Sequence, residues 1–131
     1  MRRIAAVLAV GSLVTGFSVA SATRAAPEPK TIVVKMVDIS ETQFAFEPAD
    51  VVANKGDIVQ FVQQGPMPHN VAFKEGPAGS NLTPELVMGP YLTAPGQTYD
   101  LVIDDRFASG LHRFICTPHE AMGMKGTLTV N

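Results

Sequence analysis

Residues 110–130, GLHRFICTPHEAMGMKGTLTV, contain two alternating apolar segments separated by a short loop. The first segment, Gly110–Thr117, predicts a strand that carries Cys116 on its apolar face. The second, Lys125–Val130, predicts the last strand of the chain. The loop between them brings a cysteine, a histidine and two methionines into nine residues. This strand–loop–strand unit predicts a thiolate, an imidazole and a thioether on one loop between two strands.

The rest of the chain predicts more short strands separated by turn residues. Their expected positions are Thr31–Ile39, Phe44–Ala53 (broken by Pro48), Ile58–Gln64, His69–Lys74 and Thr98–Asp104. The long segment Glu75–Gly96 is rich in proline and glycine, and only Pro84–Met88 within it predicts a helical turn. Seven or eight short strands without a long amphipathic helix predict an all-β protein, a Greek-key antiparallel β-sandwich.

The N-terminus predicts a cleaved signal peptide over residues 1–22. Two arginines precede an apolar stretch, and Ala20-Ser21-Ala22 has the small-x-small pattern of a signal-peptidase site. The apolar stretch is short and contains glycine, serine and threonine, so no stable membrane anchor is expected. The general secretory route is favoured, and the paired arginines leave the twin-arginine route open. We expect a periplasmic protein with a flexible lead-in, residues 23–30, before one domain over residues 31–131.

Cys116 is the single cysteine of the chain. Removal of the two arginines with the signal peptide leaves eight basic and twelve acidic side chains, a net charge of −4. This acidic balance argues against nucleic-acid binding, which requires a basic surface. A lone cysteine in an exported protein cannot form an internal disulfide, so it indicates pairing between chains, a reactive thiol or a metal ligand. A buried thiol without chemistry is the plain alternative.

A candidate metal site follows from the residues near this cysteine. His119 and Met124 share its loop, and His69 follows a proline-rich turn earlier in the chain. Two histidines and one cysteine with a weak axial methionine form the ligand set of a blue-copper electron-transfer site. Met122 lies two residues before Met124 and is the other candidate for the axial position. On its own, each of these residues has a structural explanation, but their combination favours a metal.

Two segments resemble the cupredoxins, the family of small blue-copper proteins. FAFEPADVVANKGDIVQFVQQGPMPHNVAF, residues 44–73, is similar to the first copper-binding half, and CTPHEAMGMKGTLTVN, residues 116–131, is similar to the ligand loop and last strand. The spacing C-x2-H-x4-M matches the plastocyanin/pseudoazurin branch. The loop CTPHEAMGM is especially similar to that of the pseudoazurins. The resemblance covers roughly residues 40–131.

The resemblance implies a site for one copper ion. Its ligands would be His69, Cys116 and His119, with Met124 as a long axial ligand. Asn70 would link the two ligand segments through its backbone N–H to the cysteine sulfur and through its side chain near Thr117. Pro118 has no N–H, so it would not give the sulfur a second hydrogen bond.

The resemblance also implies how a redox partner would dock. His119 would be the exposed ligand, with its ring edge in a small apolar patch suited to brief encounters. The candidates for this partner-docking patch are Met67, Pro68, Ala121 and Met122, together with Pro118. The expected partners are larger redox proteins such as a c-type cytochrome or a copper reductase, and neither is selected by the sequence. A monomer is expected, because a shuttle must diffuse and dissociate.

The function expected from these residues is one-electron transport by a small exported blue-copper protein. The alternative is a periplasmic copper-binding or copper-delivery protein without a redox circuit. Four protein ligands leave no open position for a substrate, so an enzyme is not expected. His112 shares the strand face of Cys116; it is interpreted as a partly buried strand residue and not as a ligand, with its role open.

Overall fold

Eight short strands form two four-stranded sheets in a computed structural model that describes residues 24–131. The strands are β1 Thr31–Ser40, β2 Gln43–Glu47, β3 Asp50–Ala53, β4 Ile58–Gln63, β5 Ala72–Glu75, β6 Thr98–Val102, β7 Gly110–Ile115 and β8 Lys125–Val130. One short helix, α1 Pro84–Met88, and one 3₁₀ helix, Thr117–Met122, complete the secondary structure. No helix in this described part of the chain has the length and apolar character to span a membrane. The predicted signal peptide lies outside the described residues.

The two sheets have the strand orders β2-β1-β4-β6 and β3-β8-β7-β5. This arrangement confirms the predicted β-sandwich. Two neighbouring pairs, β1–β4 and β3–β8, run parallel, and the other pairs are antiparallel. Strand periodicity describes which side chains are buried and not which strand lies alongside, so the sequence does not distinguish the parallel pairs.

Two segments differ in detail from their predicted extents. The broken strand around Pro48 is two strands, β2 and β3, which belong to different sheets, so the proline lies where the chain changes sheet. The strand predicted to start at His69 starts at Ala72. His69 instead forms an isolated bridge with Leu92, with backbone N–O distances of 3.0 and 2.8 Å. The irregular segment after β5 therefore returns to the copper-ligand candidate and fixes its backbone.

Aromatic rings from both sheets meet in the core. The ring centroid of Phe114 on β7 lies 4.9 Å from that of Phe46 on β2 and 5.6 Å from that of Phe61 on β4, in edge-to-face geometry. All three residues are buried. Such pairs add about 0.5–1.5 kcal/mol each beyond the burial of their area. These contacts pack β7, the strand that leads to Cys116, against the facing sheet.

A buried carboxylate closes the turn before β4. The Asp57 side chain accepts the backbone N–H of Asn54 at 2.8 Å and that of Lys30 at 3.0 Å. Burial alone would raise the pKa of Asp57, but these two donors outweigh it and the pKa lies below its usual range. The ionised carboxylate thus holds the start of β1 against the start of β4.

Candidate metal centre

Three soft ligand atoms from two distant segments meet at one end of the sandwich. The Nδ1 atoms of His69 and His119 lie 3.0 Å apart, and the Sγ atom of Cys116 lies 3.5 Å from each of them. All three residues are buried, with exposures of 0%, 5% and 0%. In the described part of the chain, they form the one group of three or more potential ligands drawn from histidine, cysteine and acidic residues.

The triangle formed by these atoms has the size of a metal site. A point equidistant from the three atoms lies about 1.9 Å from each of them, close to the roughly 2.0–2.3 Å that histidine nitrogen and cysteine sulfur keep from a first-row ion such as Zn²⁺. Two imidazoles and a thiolate are the equatorial donors of a blue-copper site. The donor set and its spacing therefore fit copper.

The backbone of the loop positions Cys116 and His119. The Cys116 N–H donates to the Met124 carbonyl at 3.0 Å, and the Met124 N–H donates to the His119 carbonyl at 3.2 Å. Gly123 has φ = 85°, a left-handed conformation that favours glycine and lets the 3₁₀ helix turn back into β8. Hydrogen bonds between the backbones of Cys116, His119 and Met124 close the loop. The sequence spacing of these three residues therefore matches the geometry of the closed loop.

The two methionines of the loop have different environments. Met124 is fully buried, whereas Met122 is 49% exposed. Because a fourth ligand must face the buried cluster, this burial favours Met124 as the axial candidate and leaves Met122 to the surface.

Asn70 connects three segments around the site. Its side-chain carbonyl accepts the Thr117 N–H at 2.7 Å, and its amide donates to the Thr117 hydroxyl at 2.9 Å and to the Met88 carbonyl at 2.7 Å. Asn70 itself is 1% exposed. The side chain therefore joins the His69 segment to the cysteine loop and to the end of α1.

The electrostatic environment affects the protonation of the ligands. Burial raises the pKa of the Cys116 thiol, while the backbone N–H groups of Asn70 and His119 act to lower it. Burial and then the neighbouring His69 lower the pKa of His119, and the carboxylate of Asp38 acts in the opposite direction. A thiol is deprotonated when it binds a metal, so metal binding at this site releases a proton.

His119 is less exposed than the family resemblance implies. Only 5% of the residue is accessible, because the ring of Phe44 stacks on it with centroids 3.9 Å apart and planes 23° from parallel. Phe44 also meets the His69 ring edge-on at 5.6 Å. His119 remains the more accessible of the two histidines. Phe44 was not among the predicted site residues, although it is the first residue of the segment that resembles the first copper-binding half of the family.

A carboxylate contacts His69 from the opposite side. The Oδ1 atom of Asp38, on β1, lies 2.6 Å from Nε2 of His69. No spacing in the sequence pointed to this residue, because it lies 31 positions before the histidine. The two residues meet because the end of β1 packs against the turn before His69.

The residues predicted for the docking patch are all exposed. Met67 is 42% exposed and Met122 49% exposed, and Pro68, Ala121 and Pro118 are exposed beside them in sequence. They belong to the two segments that carry His69 and His119. The apolar surface at this end of the molecule therefore borders the ligand cluster.

His112 lies outside the ligand cluster. Its Nε2 atom is 3.0 Å from the Ser80 hydroxyl, and its ring packs against Phe107 with centroids 5.3 Å apart. The residue is fully buried and burial lowers its pKa. The Ser80 hydroxyl also accepts the Ala108 N–H at 3.2 Å. His112 therefore links β7 to the irregular segment after β5.

Known proteins are similar to this chain in sequence and in fold. Residues 33–131 match the family described as copper binding proteins, plastocyanin/azurin family. The chain is 36% identical over 131 residues to a plastocyanin of Prochlorothrix hollandica, covering 98% of this chain and 93% of the relative. It is 39% identical over 87 residues to a plastocyanin of Scenedesmus fuscus, covering 65% of this chain and 85% of the relative.

Solved structures give the same result. The oxidised plastocyanin of Dryopteris crassirhizoma is similar with a TM-score of 0.59 and 30% identity, over 76% of this chain and 99% of that one. The amicyanin of Paracoccus versutus is similar with a TM-score of 0.59 and 27% identity, over 77% of this chain and 81% of that one.

Proposed function

The chain belongs to the plastocyanin/azurin family of copper-binding proteins, and from this premise we propose that His69, Cys116, His119 and Met124 hold its copper ion. The protein is a small blue-copper electron carrier and not an enzyme. Bound copper supplies the Cu(II)/Cu(I) couple, so the protein accepts and releases one electron at a time.

The convergence of three buried donor atoms from two segments carries this proposal. The nitrogens and the sulfur lie 3.0–3.5 Å from one another without a disulfide or another cysteine to explain the thiol. A purely structural β-sandwich does not require a thiol and two imidazole nitrogens buried this close together. The burial of Met124 beside the cluster supports its place as the fourth ligand.

The surrounding residues hold these donors in place. Asn70 fixes the two segments to each other, and Phe44 confines the His119 ring. A site held by such contacts suits both oxidation states, because an electron then passes with little rearrangement of the ligands. His119, the more accessible histidine, is the route proposed for the electron between the site and the surface.

The apolar patch is proposed as the surface where redox partners dock. Met67, Pro68, Ala121 and Met122 are exposed near the proposed electron route. A small apolar patch suits brief encounters with a redox partner such as a c-type cytochrome or a copper reductase. In this proposal a monomer meets the partner in the periplasm after removal of residues 1–22. The likeness of residues 116–124 to the pseudoazurin loop leads us to include pseudoazurin-type partners in this set. Subcellular fractionation and the N-terminal sequence of the exported protein test the location.

Copper delivery without a redox circuit is not favoured. A delivery protein must release its ion readily, which requires accessible ligands, whereas all three donors here are at most 5% exposed. Slow exchange of copper with a chelator is therefore expected, and rapid exchange would support delivery.

The first experiment is a Cu(II) titration of the mature protein, followed by visible absorption and electron paramagnetic resonance. We expect an intense thiolate charge-transfer band and narrow copper hyperfine splitting, both lost in Cys116→Ser. Met124→Leu is expected to change the spectrum and raise the reduction potential, because a weak sulfur ligand is removed. Met122→Leu is the matched control two residues away and is expected to change neither. A colourless protein, or a spectrum unaffected by Cys116→Ser, would overturn the ligand assignment.

A further inference from the structure

A buried contact between Asp38 and His69 has no role in the ligand set described above. Nε2 of His69 lies 2.6 Å from Oδ1 of Asp38, a short distance for a hydrogen bond between an imidazole and a carboxylate. The histidine side chain is fully buried and the aspartate side chain is 15% exposed. Water therefore has little access to either partner, and the contact is stronger than a pair on the surface.

The surrounding structure is arranged around this carboxylate. Its second oxygen, Oδ2, accepts the Met67 N–H at 3.1 Å. Gly65 lies against it so closely that a Cβ atom there would be 2.0 Å from Oδ2. The register of β1 against β2 also shifts between Asp38 and Ser40. Gly65, the Met67 N–H and the register shift between β1 and β2 together hold the carboxylate against the histidine.

The contact determines which nitrogen of His69 is available to a metal. The Nδ1 atom faces Cys116 and His119, so binding through it requires its lone pair to be free and the proton to reside on Nε2. A carboxylate that accepts a hydrogen bond from Nε2 stabilises this tautomer and fixes the orientation of the ring. In the described part of the chain, no second carboxylate lies within ion-pair distance of a histidine.

We propose that Asp38 is a positioning residue that fixes the metal-binding tautomer of His69 and, through its negative charge, favours the oxidised over the reduced copper site. This inference rests on the proposed role of His69 as a ligand. The charge acts through the imidazole and not as a ligand itself, because Asp38 faces the far side of the ring. An extra negative charge near the metal stabilises Cu(II) more than Cu(I) and thus lowers the reduction potential.

The test compares copper-loaded Asp38→Asn with copper-loaded Asp105→Asn. Both variants remove one negative charge, but Asp105 is a fully exposed carboxylate whose ion-pair partner is Lys55, at 3.6 Å. Asparagine at position 38 has only one oxygen for two donors, His69 Nε2–H and Met67 N–H, so one of them loses its acceptor. We expect the Cu(II) affinity of Asp38→Asn to fall about 10–100-fold.

The expected change in potential follows from the difference between the two oxidation states. If a substitution weakens the affinity for Cu(II) tenfold more than the affinity for Cu(I), the one-electron reduction potential rises by about 59 mV. We expect a rise of this size for Asp38→Asn in protein-film voltammetry and a much smaller change for Asp105→Asn. Equal shifts in the two variants would show that only net charge matters and would overturn the inference.

A measurement on the wild-type protein keeps the inference testable if the variant does not fold. In the reduced, diamagnetic Cu(I) form, nitrogen-15 NMR should show a protonated, slowly exchanging Nε2 of His69 and a metal-bound Nδ1. A proton on Nδ1, or a rapidly exchanging Nε2 proton, would overturn the role of Asp38. If the wild type has no thiolate charge-transfer band, the ligand proposal fails as well; if the band is present and the potential of Asp38→Asn is unchanged, only this inference fails.

Discussion

Replacement of Asn70 by alanine tests how the two ligand segments are joined. The Asn70 side chain makes three hydrogen bonds of 2.7–2.9 Å, two to Thr117 and one to the Met88 carbonyl. It is 1% exposed, so it has no competing interaction with bulk water. Asn70→Ala removes all three bonds and leaves their partners on two other segments.

The magnitude follows from these partners. A hydrogen bond of this kind contributes about 0.5–1.5 kcal/mol net, and a buried group without a partner costs about 1–3 kcal/mol. Thr117 and Met88 are exposed residues, so water replaces part of what their backbone groups lose. We therefore expect the free energy of unfolding to fall by about 2–3 kcal/mol.

The assay is urea denaturation of the metal-free protein, since bound metal would add its own stabilisation. The midpoint should fall at an unchanged m-value. Asn81→Ala, at an exposed asparagine, is the control and should change the free energy of unfolding by less than about 0.5 kcal/mol.

A double-mutant cycle with Thr117→Val isolates one of the three bonds. Thr117→Val keeps the shape of the side chain and removes the hydroxyl that accepts the Asn70 amide at 2.9 Å. We expect a coupling energy of about 0.5–1 kcal/mol between the two positions. A loss below about 1 kcal/mol for Asn70→Ala, or losses that simply add in the cycle, would refute the reasoning.

Three further substitutions test other parts of the structure. Phe44→Leu removes the ring stacked on His119 at 3.9 Å, and urea denaturation should show a loss of about 1–2 kcal/mol, with no loss contradicting the role of the stack. Asp57→Asn leaves a buried amide facing two backbone N–H donors, and should cost about 1–3 kcal/mol at pH 7. The pKa of Asp57 is depressed in the folded state, so this stabilisation is present above the unfolded pKa of about 3.9 and is lost as the pH falls through the folded value. The difference in the free energy of unfolding between wild type and Asp57→Asn should therefore narrow towards pH 3. A difference that does not change with pH would contradict this account. Gly65→Ala places a Cβ atom 2.0 Å from the Asp38 carboxylate. It should cost about 1–3 kcal/mol by urea denaturation in the wild type and much less in Asp38→Ala, so equal costs would point to another cause.

The sequence predicted the strands well because their side chains alternate. In residues 98–104, Tyr99, Leu101 and Ile103 point to one face of the predicted strand, and the structure buries Leu101 and Ile103 while Val102, on the other face, is exposed. The helical turn predicted at Pro84–Met88 is α1. The proline in the segment around Pro48 correctly indicated a break, because a proline cannot continue a strand ladder.

The ligand loop was also readable from sequence because it is local. Cys116, His119 and Met124 lie within nine residues, and the hydrogen bonds that close the loop join these same residues. His69 was reached only through the resemblance and the proline-rich turn before it. The exposure of His119 was overestimated, because the ring that covers it, Phe44, comes from a different strand.

By itself, the sequence determined the strand pattern and the kinds of donor atoms available, because period-two burial and ligand chemistry are properties of neighbouring residues. The tertiary structure alone decided that β1 lies parallel to β4, that Phe44 covers His119 and that Asp38 meets His69. These contacts join residues 27–75 positions apart. They depend on how the strands and sheets pack and on the register shift in β1 beside Asp38. A local sequence pattern cannot predict such contacts, because the segments that form them meet only after the chain has folded.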